Sequence, residues 1–324
     1  LRSEHAAYSS ARHAFLTTSA TTALWVCLKL LGVGPGDEVV VSDFSFPATA
    51  NVVEDLGALP IFADVSLETF NMLPEELERK INARTKAVIF VDAFGNPTGL
   101  SRIKAVCERH GLPLIEDAAC AIGSAEGGRR CGSIADLTCF SFHPRKLLTT
   151  GEGGAITTNR DDWAAWLEMK LAHGAQGMKG PGLDFVDFGY NFRMSELQAV
   201  MGRKQLAKLE AIVDERNAIR DAYVAALTTS AFEVQKIGED VRHNVQSLVF
   251  RVAEGSNRDR LIAGLKSRGV EATIGTYALS ATTYYLQRYH NAQANSEKLD
   301  GVAITLPCYS GVDVGRVVQA IRAS

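Results

Sequence analysis

The chain has 324 residues, 46% of them hydrophobic and 22% charged, with a formal net charge of −3. That is ordinary globular composition, long enough for a sizeable core and for about two domains of ~150 residues. No basic excess is available to neutralise phosphates or an anionic membrane surface, so no nucleic acid and no membrane is expected as a partner.

The first predicted element is a helix over 20–31. The most apolar stretch, 23–33, is interrupted by Lys29 and ends at Gly34-Pro35-Gly36, too short to span a bilayer. After the turn at Gly36-Asp37 a strand is expected from Glu38 to Val41. Similar short apolar runs follow at 60–65, 87–91, 112–115, 137–142 and 155–158. Such runs suit strands covered on both faces. Between them, 74–81 reads as a helix with proline first. A further helix over 101–110 is stopped by Gly111 and Pro113. The alternation predicts an α/β fold with a mainly parallel sheet.

Residues 194–227 hold no proline and one glycine, Gly202, and predict one long helix or two in series. Leu248, Phe250 and Val252 alternate as a half-buried strand should. Ser256 with Asp259 fits a capping box opening a helix that ends at Gly269. A strand is expected over 271–277. The chain therefore divides into a large α/β domain, 1–215, and a smaller α+β domain, 216–324. No secretory-signal pattern opens the sequence. The six cysteines form no C-x-x-C pair, so no metal site is expected; they read as free thiols of a cytoplasmic protein.

Three segments carry candidate chemistry. Asp117 ends the apolar run Leu114-Ile115-Glu116, where ligands bind in open α/β sheets, although an aspartate there serves equally as a helix N-cap. Ser141 and Lys146 lie five residues apart, before the glycine-rich turn Gly151-Glu152-Gly153-Gly154. A hydroxyl and an amine so spaced suit the phosphate and the carbonyl of one small ligand. Thr21 and Thr22 open a helix whose free N–H groups favour an anion. Taken together, these groups suit pyridoxal phosphate (PLP). It needs an amine, a carboxylate for its ring nitrogen, donors for its phosphate and a flat group against its ring; Lys146, Asp117, Thr21, Thr22, Ser141 and Phe46 fill those needs.

The order of these segments resembles the DegT/StrS group of sugar-nucleotide aminotransferases, within the fold-type-I (aspartate-aminotransferase-like) PLP enzymes. The matching stretches are Thr18-Ser19-Ala20-Thr21-Thr22-Ala23-Leu24, Phe44-Ser45-Phe46-Pro47-Ala48-Thr49, Glu116-Asp117-Ala118-Ala119, Phe140-Ser141-Phe142 through Lys146, Gly151-Glu152-Gly153-Gly154 and Gly189-Tyr190-Asn191-Phe192-Arg193. The resemblance implies that Lys146 is the Schiff-base lysine and that Asp117 pairs with the ring nitrogen. Thr21, Thr22 and Ser141 would hold the phosphate and Phe46 would stack on the ring. Asn191 would reach the phosphate of a neighbouring subunit, and Arg193 the donor's carboxylate there. It further implies a homodimer with shared sites, an amino-acid donor such as glutamate and a keto-sugar nucleotide acceptor.

The sequence departs from the group at Cys120, where many members carry glutamine against the ring oxygen; a thiol donates far more weakly. Two other readings compete: a sugar dehydratase of the same fold, for which His143 beside Lys146 is a candidate, and a PLP-binding regulatory protein without turnover. Residues 174–188 and 277–293 are expected to set sugar choice.

Overall fold

The computed structural model describes residues 1–227, 232–253 and 255–324. Its main sheet holds β1 (His13–Thr17), β2 (Glu38–Ser42), β3 (Leu59–Ala63), β4 (Thr85–Val91), β5 (Leu114–Asp117), β6 (Leu137–Ser141) and β7 (Gly154–Thr158). The strand order is β1-β7-β6-β5-β4-β2-β3. The five strands from β6 to β3 run parallel. At the other edge β7 is antiparallel to β6, and β1 is antiparallel to β7.

Every residue of β2, β5, β6 and β7 is buried, as the unbroken apolar runs require. Alternate side chains serve opposite faces. Val39 and Val41 pack with the helices Ala20–Leu30, Ala48–Asp55 and Asp161–Leu171. Val40 packs with the helices Pro74–Lys80 and Leu100–Arg109 on the other side. The edge strand β1 and the helix Asp161–Leu171 lie outside the elements expected from sequence.

The helices Glu196–Leu206 and Leu209–Leu227 follow in series, separated by two residues. The second one spans two cores: Leu209 and Val213 pack beside Phe140 and Phe142, whereas Tyr223 and Leu227 join the core of a second sheet. That sheet is antiparallel, in the order Phe232–Val234, Leu248–Val252, Ala303–Leu306, Thr273–Ile274. Among the described residues no helix is long and apolar enough to cross a membrane.

Three local expectations change here. The strand Leu248–Val252 is not half-buried: Val249, on its nominal outer face, packs against Phe44 and Phe70. The helix Arg258–Ser267 is capped by Asn257, whose side chain accepts from Arg260 N, so Ser256 and Asp259 form no capping box. The expected strand over 271–277 splits in two. Thr273–Ile274 stays with the second sheet, while Tyr277–Ala278 crosses to pair with Phe44–Ser45 beside the main sheet. Gly275 marks the crossing, since a Cβ there would meet the Ala303 Cβ at 2.7 Å.

Candidate active site

The carboxyl ends of β5 and β6 lie side by side, with Asp117 opposite Cys139 in register. No helix starts at Asp117, which removes the N-cap alternative. Its Oδ2 accepts from Thr49 Oγ1 at 2.8 Å and its Oδ1 from Ala119 N at 3.2 Å. Burial pushes the Asp117 carboxyl above its usual range, while these two donors and the Lys146 charge pull it back. A buried carboxylate so placed calls for a cationic partner. Behind it, Asp92 and Glu116 are also fully buried. Burial and the neighbouring Glu116 drive Asp92 well above the carboxylate range.

Lys146 follows β6 in a tight turn closed by Lys146 N donating to His143 O at 2.9 Å. Its Nζ lies 3.1 Å from Cys120 Sγ. His143 is occupied elsewhere: Nδ1 accepts from Arg145 N at 3.2 Å and Nε2 lies 3.8 Å from Glu152. Nothing in this geometry places His143 against Lys146 as a second base.

Ser141 pairs with Gly154 in register. A Cβ on Gly154 would stand 2.5 Å from Ser19 C and 2.7 Å from Ala20 N. Only glycine therefore lets the start of the helix Ala20–Leu30 close on the strand end that carries Ser141. Ser19 and Thr22 form a reciprocal capping box there. The Thr22 hydroxyl donates to Ser19 O at 2.9 Å, so it is already committed to the cap. Thr21 is exposed and its hydroxyl bonds to none of the described residues. The free amides of this first turn, with Thr21 and Ser141, make an anion cradle.

Phe46 is 65% exposed, with no ring packed on it among the described residues. It lies one residue before Pro47, the N-cap of the helix Ala48–Asp55, which carries Thr49 and lines a cavity of about 430 Å³ with Thr21, Thr22, Trp25 and Phe192. Phe192 is fixed by stacking on Tyr190 at 5.3 Å and by the edge of Trp25 at 6.0 Å. Its neighbours Asn191 and Arg193 are exposed and make no hydrogen bond or ion pair among the described residues. The chain's own fold does not bring either of them against Lys146 or Asp117.

Sequence reasoning missed three contributors. Thr49 was detectable, because it sits one helical turn from Ser45 in a segment already singled out, and their hydroxyls lie 3.0 Å apart. Asn244 and Gln246 gave no local signal. Asn244 Nδ2 donates to Cys120 O and to Ile122 O, both at 2.8 Å. Gln246 brackets the lysine, with Nε2 donating to Arg145 O at 2.8 Å and Oε1 accepting from Leu147 N at 3.0 Å.

An amine, a buried carboxylate awaiting a cation, an anion cradle and an uncovered aromatic face fit PLP. The fold and this set of groups define a PLP-dependent transaminase of the aspartate-aminotransferase-like class. A sequence profile of the DegT/DnrJ/EryC1/StrS aminotransferase family matches residues 1–322. The chain is 34% identical to GDP-perosamine synthase of Caulobacter vibrioides over 327 residues, covering 97% of this chain and 86% of that one. It is equally 34% identical to the spore coat polysaccharide biosynthesis protein SpsC of Bacillus subtilis over 341 residues, covering 98% and 87%. Among solved structures, Spr1654 of Streptococcus pneumoniae in its PLP form superposes with a TM-score of 0.90 at 27% identity, covering 99% of this chain and 88% of that one. The chain belongs to the DegT/DnrJ/EryC1/StrS aminotransferase family. Its cofactor is pyridoxal phosphate, and it is an enzyme.

Proposed function

We propose that this enzyme moves an amino group from glutamate to a keto-sugar nucleotide, in the cytoplasm, as a homodimer with shared sites. The observation that carries the amino-transfer chemistry is the Lys146 amine beside Cys120, its charge acting on the buried carboxyl of Asp117. The kinship to GDP-perosamine synthase supports the acceptor class.

Bound pyridoxal phosphate supplies the electron sink that stabilises charge on the donor's α-carbon. Lys146 would hold the cofactor through its amine. Its Nζ would move a proton away from the donor's α-carbon in one half of the cycle and toward the acceptor carbon that gains nitrogen in the other. Asp117, desolvated and held by Thr49, would keep a proton on the ring nitrogen. Thr21, Ser141 and the amides of the first helical turn would hold the phosphate; Thr22 would support them mainly by capping that turn. Phe46 would cover the ring, and Cys120 would stand toward its oxygen in place of glutamine.

The division at 215/216 into a PLP-binding domain and a smaller domain is supported by the helix Leu209–Leu227, whose two ends serve different cores. The dimer is supported by an uncovered apolar surface. Met178, Leu183, Phe185, Phe188, Leu197 and Val200 are all exposed around Asn191 and Arg193 in sequence. A partner covering this surface would receive Asn191 and Arg193 into its own site. Residues 174–188 and 277–293 then shape the acceptor pocket.

The test is to incubate purified holoenzyme with glutamate and a panel of nucleotide-linked keto-sugars. The expected result is 2-oxoglutarate together with one sugar whose ketone oxygen is replaced by an amine. A protein that consumes glutamate with none of the panel is not a sugar-nucleotide aminotransferase. Release of a deoxygenated sugar without net amination would favour the dehydratase instead.

A further inference from the structure

Val245 has φ +53°, in the left-handed region where a β-branched residue is a genuine outlier. It is fully buried, and so is Asn244; Gln246 is nearly so. Such strain persists only where its surroundings over-determine it, and it clusters where function needs a fixed geometry. The surroundings here are specific. Asn244 N takes a hydrogen bond acceptor in Ser124 Oγ at 3.0 Å, and Asn244 Oδ1 accepts from Gln246 N at 2.9 Å. Arg216 Nη1 donates to Val245 O at 3.2 Å and to Gln246 O at 3.3 Å. The two ends of this strained strap hold the two residues that meet in the site. Asn244 grips the backbone of Cys120, and Gln246 grips the backbone on both sides of Lys146. The chain then runs directly into Leu248–Val252, a central strand of the second sheet.

We propose that residues 244–246 form a strap that sets the Lys146 amine against Cys120, with Gln246 as the positioning residue. It also ties the position of the amine to the second sheet. The inference rests on Lys146 being the reactive amine, as argued above. Gln246 acts through the backbone of Arg145 and Leu147. Among the described residues, Cys120 Sγ lies 3.1 Å from the amine, and the Lys146 charge acts on Asp117. A change in the reach of the amine therefore alters its charge interactions as well as its rate.

The test uses holoenzyme. Borohydride reduction of the parent first checks the underlying reading: a label on any lysine but Lys146 would remove the role assigned to that residue. Gln246→Met keeps the volume and deletes both grips, while Gln246→Glu keeps the acceptor for Leu147 N and deletes the donor to Arg145 O. Gln246→Met should slow the donor half-reaction about tenfold at unchanged donor KM, a fraction of the ~100-fold cost of misplacing a reacting group by 1 Å. It should also move the pH midpoint of the cofactor's absorption band by roughly half a unit or more, with full cofactor content. Gln246→Glu should fall between parent and Gln246→Met on both readouts. Parent-like rates and midpoints in both variants would overturn the proposal. So would loss of fold in both, which would make Gln246 a structural residue only. If Gln246→Met alone fails to fold, Gln246→Glu decides: a slowed half-reaction with a shifted midpoint supports the strap, and unchanged values sink it.

Discussion

The Lys146 amine stands 3.1 Å from the Cys120 thiol, so the proposed Schiff-base lysine has a cysteine as its nearest side-chain partner. Of the six cysteines this is the one that is not fully buried. A half-buried thiol is open to alkylation, whereas the burial of Cys107, Cys131 and Cys139 pushes their thiols up and leaves them inert.

Iodoacetamide should therefore modify Cys120 first and abolish activity, because the added group would occupy the space of the Lys146 amine. Saturating PLP should slow the reaction. Cys120→Ala should resist the reagent while losing no more than about tenfold in turnover, the scale of one neutral hydrogen bond. Peptide mapping together with residual activity reads both effects. Inactivation of Cys120→Ala at the parent's rate would place the sensitive group elsewhere.

Asp117→Asn should keep the fold and lose roughly 100-fold or more in turnover, since an amide cannot hold the charge that keeps the ring nitrogen protonated. Thr49→Val offers a graded version. Thr49 stabilises the ionised form of Asp117, so its removal raises the Asp117 pKa further. The acid limb of the pH–rate profile should then move to higher pH. An unmoved limb in Thr49→Val, or near-parent turnover in Asp117→Asn, would detach Asp117 from the ring nitrogen.

Much of the main sheet was legible because its buried strands are short runs rich in apolar residues that alternate with helical patterns. Lys146, Asp117 and Ser141 were legible because each ends or follows such a strand. What stayed hidden is contact between distant segments. Gln246 lies a hundred residues from Lys146, in a stretch with no period of its own. The crossing of Tyr277 from one sheet to the other depends on which edge is free, and the strand-like run from Glu271 to Tyr277 carries no mark of it except Gly275. Val249 looked solvent-facing by alternation, yet it is covered because the main sheet's Phe44 and Phe70 close over it. The role of Thr22 was read from its type, whereas the cap claims its hydroxyl.

Asp43 should make stability depend on pH. Its carboxyl accepts from Ser280 N at 2.7 Å and from Ser280 Oγ at 2.8 Å, which tethers the segment beginning at Tyr277. Burial nevertheless pushes it from 3.8 up to about 7, with the nearby Asp64 adding to the rise. The folded state thus binds a proton that the unfolded chain has already lost between pH 3.8 and about 7. Across that window stability falls as pH rises, by an amount on the order of a few kcal/mol. Asp43→Asn removes this titration. Chemical unfolding at pH 5 and pH 8 should show the parent losing more stability than Asp43→Asn. Equal losses in the two proteins would mean that Asp43 is ionised at no cost.

Arg193 should act in the neighbouring subunit's site. It is exposed, has no partner among the described residues and follows Phe192, which is locked onto Trp25 and Tyr190. A rigid base under a free guanidinium suits a fork that meets a carboxylate from outside its own chain. The apolar side chains Leu197 and Val200 are exposed, and a two-fold partner would cover them with the same surface. The alternative is that Arg193 binds the donor in its own chain's site. Subunit exchange between Lys146→Ala and Arg193→Ala separates the two. Each variant alone should be inactive. If the sites are shared, a mixed dimer holds one site with Lys146 from one chain and Arg193 from the other, both intact, and a second site with neither. Random exchange of equal amounts makes half of the dimers mixed, so about a quarter of the unsubstituted enzyme's activity should return. If Arg193 serves its own chain, every site in every dimer lacks one of the two residues. Verified mixed dimers with no recovered activity would therefore assign Arg193 to the site of its own subunit.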